Sequence, residues 1–152
     1  LKNPSSMFPD EMPMGQALQQ YFAEYHFANG GYNERWFHIK LGAVFIPLPN
    51  IKARVAAVKI HDIHHVITGY RADWKGEVEI AGWELAGGCG PYWVAWLLNM
   101  GSFTIGLILY PRALVAAFQR GRRSRTTLYR EGLPYAELLD HTVGELRRLV
   151  EG

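Results

Sequence analysis

Residues 61–65 read His-Asp-Ile-His-His, a dense group of side chains that bind divalent metals. On an α-helix, His61 and His65 are four residues apart and project from one face, one turn above the other, so two imidazoles can reach one ion. Asp62 comes three residues before His65, and its carboxylate can turn toward the same edge of the helix. The spacing therefore predicts three metal ligands, His61, Asp62 and His65.

A fourth ligand is predicted at Glu77, twelve residues after His65. Gly69 is placed to end the first helix, and Asp73 or Trp74 begins a second helix after a short turn. Two helices joined by a short turn pack antiparallel, which brings the start of the second beside the end of the first. The sequence thus predicts a metal site built between two consecutive helices.

Two further residues are candidates for catalytic roles. Glu84 lies two turns after Glu77 on nearly the same helical face, so it is predicted to orient a ligating imidazole or to act as a general base. His64 faces away from the edge shared by His61 and His65, and it is a second candidate for moving protons. Two imidazoles and two carboxylates suit Zn²⁺, which we favour, with Fe²⁺ and Mn²⁺ as alternatives.

The elements that position these residues are predicted to be helical. Apolar spacing, turn residues and capping signals place helices over residues 14–28, 51–68, 74–86, 111–119, 134–139 and 142–150. Asn50 is predicted to cap the helix over 51–68, and Asn33 to cap a short helix through Lys40. Pro47 and Pro49 favour an extended connection over 43–49. With no clean period-two strand, the predicted class is all-α.

Composition limits the class of protein. The chain has 152 residues, of which 49% are apolar and 20% charged, and this composition fits one folded domain. Its formal net charge of +2 does not indicate binding to nucleic acid. Cys89 is the single cysteine, so an internal disulfide and a zinc finger are excluded, and we expect a buried thiol. Residues 1–13 are expected to form a loose arm, and residues 14–152 a single helical metal-binding domain.

Residues 92–110 carry no charge and begin and end with aromatic side chains. Polar residues and glycines interrupt the run, so we expect a buried hairpin or a broken core helix. Contact with a membrane interface is the second interpretation, and a membrane span the third. Arginines cluster at positions 120, 122, 123 and 125. They are expected to form a solvated face, with contact to anionic lipid as the alternative.

The stretch HDIHHVITGYRADWKGEVEIAGWELAGG resembles the signature of the coenzyme Q (ubiquinone) biosynthesis protein 4 family, and of its compact bacterial members in particular. The family motif is H-D-x-x-H, eleven residues, then Glu. It is matched here by His61, Asp62, His65, residues 66–76 and Glu77. The V-x-T-G-Y, G-E and E-L-A elements and the C-terminal ELLDHTVGELRRLV are similar as well. The resemblance extends from about residue 48 to residue 150, with gaps in the apolar middle.

The resemblance implies a helical protein that binds zinc or a similar divalent ion at this motif. Carried onto this chain, the implied ligands are His61, Asp62, His65 and Glu77. Family members associate with membranes and handle polyprenylated aromatic intermediates of quinone synthesis. They are linked to removal of the ring carboxyl group and to the organisation of other biosynthetic enzymes. The implied location is the bacterial cytoplasm, peripheral on the inner face of the plasma membrane.

Our leading hypothesis is a metal-dependent decarboxylase, with or without hydroxylation, that acts at C1 of a polyprenylated hydroxybenzoate. The prenyl tail is expected along residues 92–110, with Trp93 and Trp96 at the mouth of the site. A homo-oligomer is left open. A non-catalytic prenyl-lipid-binding scaffold with a structural metal is the first alternative.

The second alternative is a metal phosphohydrolase of the HD type, built from His38, His61-Asp62 and Asp140. It leaves the second helical histidine and Glu77 without a role.

Overall fold

The computed structural model of the protein describes residues 7–41 and 44–152, and most of these residues are helical. The all-α prediction is confirmed. The helices are α1 (Met14–Glu24), α2 (Lys52–Thr68), α3 (Trp74–Gly87), α4 (Trp93–Leu109), α5 (Pro111–Arg123), α6 (Leu128–Glu131), α7 (Tyr135–Asp140) and α8 (Val143–Glu151). A 3₁₀ turn covers Ala28–Gly31, and a small hairpin is formed by β1 (Trp36–Leu41) and β2 (Val44–Pro49).

The turn between α2 and α3 is built as the sequence predicts. Gly69 adopts φ +77°, and its N–H donates to the His65 carbonyl, which ends α2. Asp73 caps α3 by accepting a hydrogen bond from the Gly76 N–H at 2.8 Å. A Cβ at Gly76 would lie 1.8 Å from the Arg71 carbonyl oxygen, so only glycine permits this close turn. The turn therefore sets the position of the residue that follows it, Glu77.

The helix predicted from Asn33 through Lys40 is wrong, because this segment holds β1 instead. Strand β1 pairs antiparallel with β2, from Trp36 opposite Pro49 to Leu41 opposite Val44. The run Trp-Phe-His-Ile is rich in aromatic and β-branched residues, which favour strands. The prolines of β2 are tolerated since both strands of a two-stranded sheet are edges. Residues 42 and 43 lie outside the described residues.

Asn50 does not cap α2, and Ile51 occupies the N-cap position without a side-chain bond. The Asn50 amide instead donates to the Glu34 carbonyl at 2.7 Å, and its oxygen accepts from Arg54 Nη1 at 2.7 Å. Asn50 therefore ties the loop before the hairpin to the first turn of α2.

Helix α2 contributes many of the buried apolar side chains of the core, which it shares with α1, α6 and α8. Two residues of the expected loose arm, Phe8 and Met12, pack against this core. Phe8 is buried, and Arg147 Nη1 donates to the Phe8 carbonyl and to the Asp10 carboxylate. Residues 1–6 of that arm lie outside the described residues. Helix α3 packs against α4 and α5 on the other side.

Helix α4 runs without a break, so the interpretation of residues 92–110 as a buried hairpin or a broken core helix is wrong. Only four of its residues are buried, and Ile108 is 78% exposed. The glycines and the serine do not break α4, because one Gly in a helix costs only about 1 kcal/mol and the other residues favour the helix. The exposed large apolar side chains of α4 are Trp93, Trp96, Leu97, Met100, Leu107, Ile108 and Leu109. Among the described residues, no helix combines the length and the hydropathy needed to cross a membrane.

Candidate metal centre

His61, His65 and Glu77 bring three potential ligand atoms together between α2 and α3, where they form a group that could hold a metal ion. His61 Nε2 lies 3.1 Å from His65 Nε2 and 3.4 Å from Glu77 Oε2, and His65 Nε2 lies 3.2 Å from Glu77 Oε1. The two imidazoles meet at 88°. The antiparallel turn predicted from the sequence thus places Glu77 opposite both histidines.

Hydrogen bonds at the far side of each ring fix the protons of the two histidines. His65 Nδ1 lies 2.9 Å from the Tyr70 carbonyl, which can only accept, so this nitrogen carries the proton. His61 Nδ1 lies 3.0 Å from Glu84 Oε1, and an ionised carboxylate also only accepts. In the neutral tautomers, therefore, both Nε2 lone pairs point at each other and at the two oxygens of Glu77. The three residues thus turn acceptor atoms toward one another, and a cation placed among them would be held by all three.

The electrostatics of His61 agree with this arrangement. Burial lowers the pKa of His61, but the carboxylates of Glu84 and Glu77 outweigh it and hold that pKa well above its ordinary value. Burial likewise raises the pKa of Glu77, but His65 and His61 hold it well below its usual range. Both shifts show that the site favours positive charge between the rings and Glu77, and a metal ion would supply that charge.

The donor geometry fits a divalent ion. Zn–N and Zn–O bonds of about 2.0–2.1 Å in a tetrahedral site set the ligand atoms about 3.3–3.4 Å apart. The two imidazole nitrogens lie 3.1 Å apart, and each is 3.2–3.4 Å from a different oxygen of Glu77, so the carboxylate faces both nitrogens at about that spacing. His65 is buried, whereas 39% of the Glu77 side chain is exposed, so the group is closed on one side and open on the other. Three protein ligands with an open side are typical of catalytic rather than structural zinc sites.

Asp62 does not lie within the 4.8 Å group formed by the other three predicted ligands. Its Oδ2 accepts a short hydrogen bond from the hydroxyl of Tyr32, a residue that precedes the hairpin in the chain. Burial raises the pKa of Asp62 to about 6, against the opposing effects of His61 and Tyr32. The structure thus places Asp62 beside the centre, held by Tyr32, and its ligation of the metal stays a prediction.

Glu84 lies directly behind His61 and is fully buried. Its Oε1 accepts from His61 Nδ1 and, at 2.7 Å, from His64 Nδ1. Its Oε2 accepts from Asn99 Nδ2. The Tyr129 hydroxyl lies 3.4 Å from Oε2 and shares its one hydrogen with the Ala57 carbonyl, which is nearer at 3.2 Å. Burial raises the pKa of Glu84, but the two histidines hold it well below its usual range. With His61, His64 and Asn99 donating to its two oxygens, Glu84 suits the predicted orienting role, and its role as a general base stays a prediction.

His64 has partners on both ring nitrogens. Nδ1 donates to Glu84, and Nε2 accepts from the Leu128 N–H at 3.1 Å. Its buried ring meets Trp83 and Tyr129 edge-on, and burial lowers its pKa. His64 is therefore a neutral group that supports Glu84 from behind, away from the open side of the centre.

The open side of the centre faces a cavity of about 580 Å³ between α2, α3 and α4. Predominantly apolar residues line it, with His61, Asp62, Glu77 and Glu84 at one wall. Helix α4 contributes Leu97, Leu98 and Ile105 to the lining, among others. Trp93 and Trp96, expected at its mouth, do not line it, and Trp74 from α3 does. This volume is within the range of small-molecule sites.

The HD-type alternative finds no geometric support. His38 lies in β1 and Asp140 ends α7, and neither belongs to the group of converging ligand atoms found among the described residues. Cys89 is the buried thiol that the sequence predicts, and burial raises its pKa to about 12.

Sequence reasoning missed the side chains that hold the ligands in place, chiefly Tyr32, Asn99 and Tyr129. Asn99 alone had a visible signal, since it is a strongly polar residue inside an apolar run. Comparisons of the chain with protein-family models, curated proteins and solved structures find no match in any of the three.

Proposed function

We propose that the protein is a metal-dependent carbon–carbon lyase that removes the C1 carboxyl group of a polyprenylated hydroxybenzoate in the biosynthesis of ubiquinone-type quinones. The observation that carries this proposal is the convergence of ligand atoms from His61, His65 and Glu77 beside an apolar cavity. The likeness of the His61-Asp62-x-x-His65 and Glu77 pattern to the quinone-biosynthesis signature supports the choice of substrate.

His61, His65 and Glu77 would hold the ion, with Zn²⁺ favoured and Fe²⁺ or Mn²⁺ as alternatives. A divalent ion bound there supplies Lewis-acid chemistry to an oxygen of the substrate. In the reaction the bond from C1 to the carboxyl carbon breaks, CO₂ leaves, and a proton from solvent takes its place at C1. Glu84 keeps His61 in the tautomer that ligates, through its hydrogen bond to Nδ1.

The apolar lining supplies binding and exclusion of water. Leu97, Leu98 and Ile105 face the cavity from α4, and they offer an apolar wall to the ring and to the first units of a prenyl tail. Removal of water from a charged carboxylate strengthens every electrostatic interaction around it.

The test uses 3-geranyl-4-hydroxybenzoate labelled with ¹³C in its carboxyl group. The protein purified with its metal should release labelled CO₂, and treatment with a chelator should abolish the release until Zn²⁺, Fe²⁺ or Mn²⁺ is restored. Glu79→Gln, which alters a carboxylate paired with Lys75 on the surface of α3, is the control and should keep full activity. Binding of the acid without release of CO₂ under every metal tested would contradict the lyase proposal.

That last outcome would favour the second candidate, a non-catalytic scaffold that binds prenyl lipid and other quinone biosynthesis proteins around a structural metal. The exposed apolar face of α4 favours this candidate, because large exposed apolar patches mark interaction surfaces.

The same face leads us to propose peripheral contact with a membrane. Arg112, Arg122 and Arg123 are exposed on α5, which follows α4 directly, while Arg120 is engaged by Glu151. The protein should co-sediment with phosphatidylglycerol vesicles and less with phosphatidylcholine vesicles. Ile108→Glu, at the most exposed apolar position of α4, should reduce the co-sedimented fraction severalfold. Unchanged sedimentation of this variant would contradict contact through α4.

A further inference from the structure

Arg54 places a positive charge in a largely apolar cavity. Among the described residues that line the cavity, it is the only lysine or arginine. It lies in the first turn of α2, seven residues before His61, and therefore on nearly the same helical face as that ligand. A rise of 1.5 Å per residue separates the two backbone positions by about 10 Å along the helix. The ligand atoms of the metal centre and the guanidinium of Arg54 thus lie at different places along the cavity.

The guanidinium of Arg54 is held but not satisfied. Nη1 donates to Asn50 Oδ1 at 2.7 Å, and the Cζ atom lies 3.7 Å above the centre of the Phe37 ring. These two contacts fix the plane of the group. Nε is buried and has no hydrogen-bond partner among the described residues. Buried N–H groups without a partner are rare in folded proteins because losing the hydrogen bond to water is costly, so this one calls for an explanation.

No carboxylate among the described residues lies within 4.0 Å of the Arg54 nitrogens. Asp62 acts on Arg54 only at longer range, and its Oδ2 accepts from Tyr32 instead. The Nε and Nη2 hydrogens form one edge of a guanidinium, and this edge matches two oxygens of a carboxylate or a phosphate. Arg54 thus lines the cavity with a guanidinium that is held in orientation and has no ion-pair partner among the described residues, which suits it to recognise an anion.

We propose that Arg54 binds the anionic oxygen group of the ligand that occupies this cavity and so fixes which end of the ligand faces the metal centre. The proposal rests on the proposed function for the expectation that a prenylated aromatic acid enters the cavity. The anchoring chemistry is the same for the carboxylate of that acid and for the phosphate of a prenyl phosphate.

The test compares charged probes with neutral counterparts. One pair is 3-geranyl-4-hydroxybenzoate and 2-geranylphenol, and the other is geranyl monophosphate and geraniol. Dissociation constants are measured by quenching of tryptophan fluorescence, since Trp74 lines the cavity. The proteins are the wild type, Arg54→Gln, Arg54→Lys and the control Lys59→Gln. Lys59 is also in α2, but it faces Tyr32 and Tyr135 on another side of the helix.

Arg54→Gln should weaken binding of at least one charged probe by about tenfold to a hundredfold, which is the worth of a charge-assisted bidentate bond. Binding of the neutral counterpart should change by less than about threefold. The pair that responds identifies the anion as carboxylate or phosphate. Arg54→Lys keeps the charge but loses the paired N–H edge. Its affinity for the charged probe should therefore lie between those of the wild type and Arg54→Gln. Because Lys is milder, it serves as the readout if Arg54→Gln does not fold.

Equal changes for charged and neutral probes would overturn the proposal. The same result from Lys59→Gln would overturn it too, because the effect would then be one of net charge. Metal content and CO₂ release are recorded on the same samples. A protein that releases no CO₂ but needs Arg54 for the charged probes contradicts the lyase and leaves the anchor intact, so the two failures are distinguishable.

Discussion

Glu77→Gln should purify without a bound divalent ion, whereas the wild type should carry about one ion per chain. The amide is neutral and a poor ligand, so only the two imidazoles would remain to hold the ion. Structural zinc sites with four protein ligands gain about 10–16 kcal/mol, or about 3 kcal/mol for each ligand. Loss of Glu77 therefore corresponds to a fall in affinity of at least about a hundredfold. Elemental analysis and native mass spectrometry measure the bound metal.

Glu79→Gln is the matched control, because Glu79 is two residues away on α3 and pairs with Lys75 at the surface. It should retain the metal of the wild type. The metal content of Asp62→Asn, measured in the same way, decides whether Asp62 is a metal ligand or only a neighbour of the site. A loss as large as that of Glu77→Gln would make Asp62 the fourth ligand, and a small loss would match its bond to Tyr32. Full metal content in Glu77→Gln would contradict the centre described here.

The parts of the site that follow from local geometry could be predicted from the sequence. His61 and His65 share a helical face because the period of the helix is 3.6 residues. Glu77 comes back to them because Gly69 ends α2 in the left-handed conformation and a short capped turn begins α3. Every step of that prediction uses residues close together in the chain.

The contacts that hold the ligands depend on residues far apart in the chain, and the sequence alone does not reveal them. Tyr32 and Asp62 are 30 residues apart, and Tyr129 and Glu84 are 45 apart. Such pairs become neighbours only through tertiary packing, which also overrides local propensity. The free edge of Arg54 was equally invisible, because the sequence does not tell which cations lack an anionic partner.

Helix α4 illustrates a different limit. A run without charge indicates low affinity for water, but it does not indicate what covers the apolar surface. In the structure α4 turns its smaller buried side, including Asn99, toward the core and leaves Leu107, Ile108 and Leu109 exposed. The sequence therefore predicts the apolar character of α4 correctly and its burial wrongly.

Glu84→Gln should be the most disruptive single change away from the ligands themselves. The carboxylate accepts from His61, His64 and Asn99, all of which present hydrogens to it. An amide has one oxygen and one NH₂ group, so the NH₂ group faces the Asn99 amide in one orientation and the His61 and His64 rings in the other. The expected loss of unfolding free energy is about 3 kcal/mol, measured by urea denaturation. Metal affinity should fall by about tenfold to a hundredfold, since the bond that fixes the His61 tautomer weakens.

A second variant turns this prediction into a test of direct pairing. Asn99→Asp alone sets a second buried carboxylate against Glu84 and should destabilise the protein as well. In the double variant, however, the amide introduced by Glu84→Gln can donate to the new carboxylate while its oxygen still accepts from His61 and His64. Stability and metal binding should then recover in part, with a coupling free energy of at least about 1 kcal/mol between the two positions. Simple addition of the two losses would mean that Asn99 does not hold Glu84 in place, and the orientation of His61 would then need another explanation.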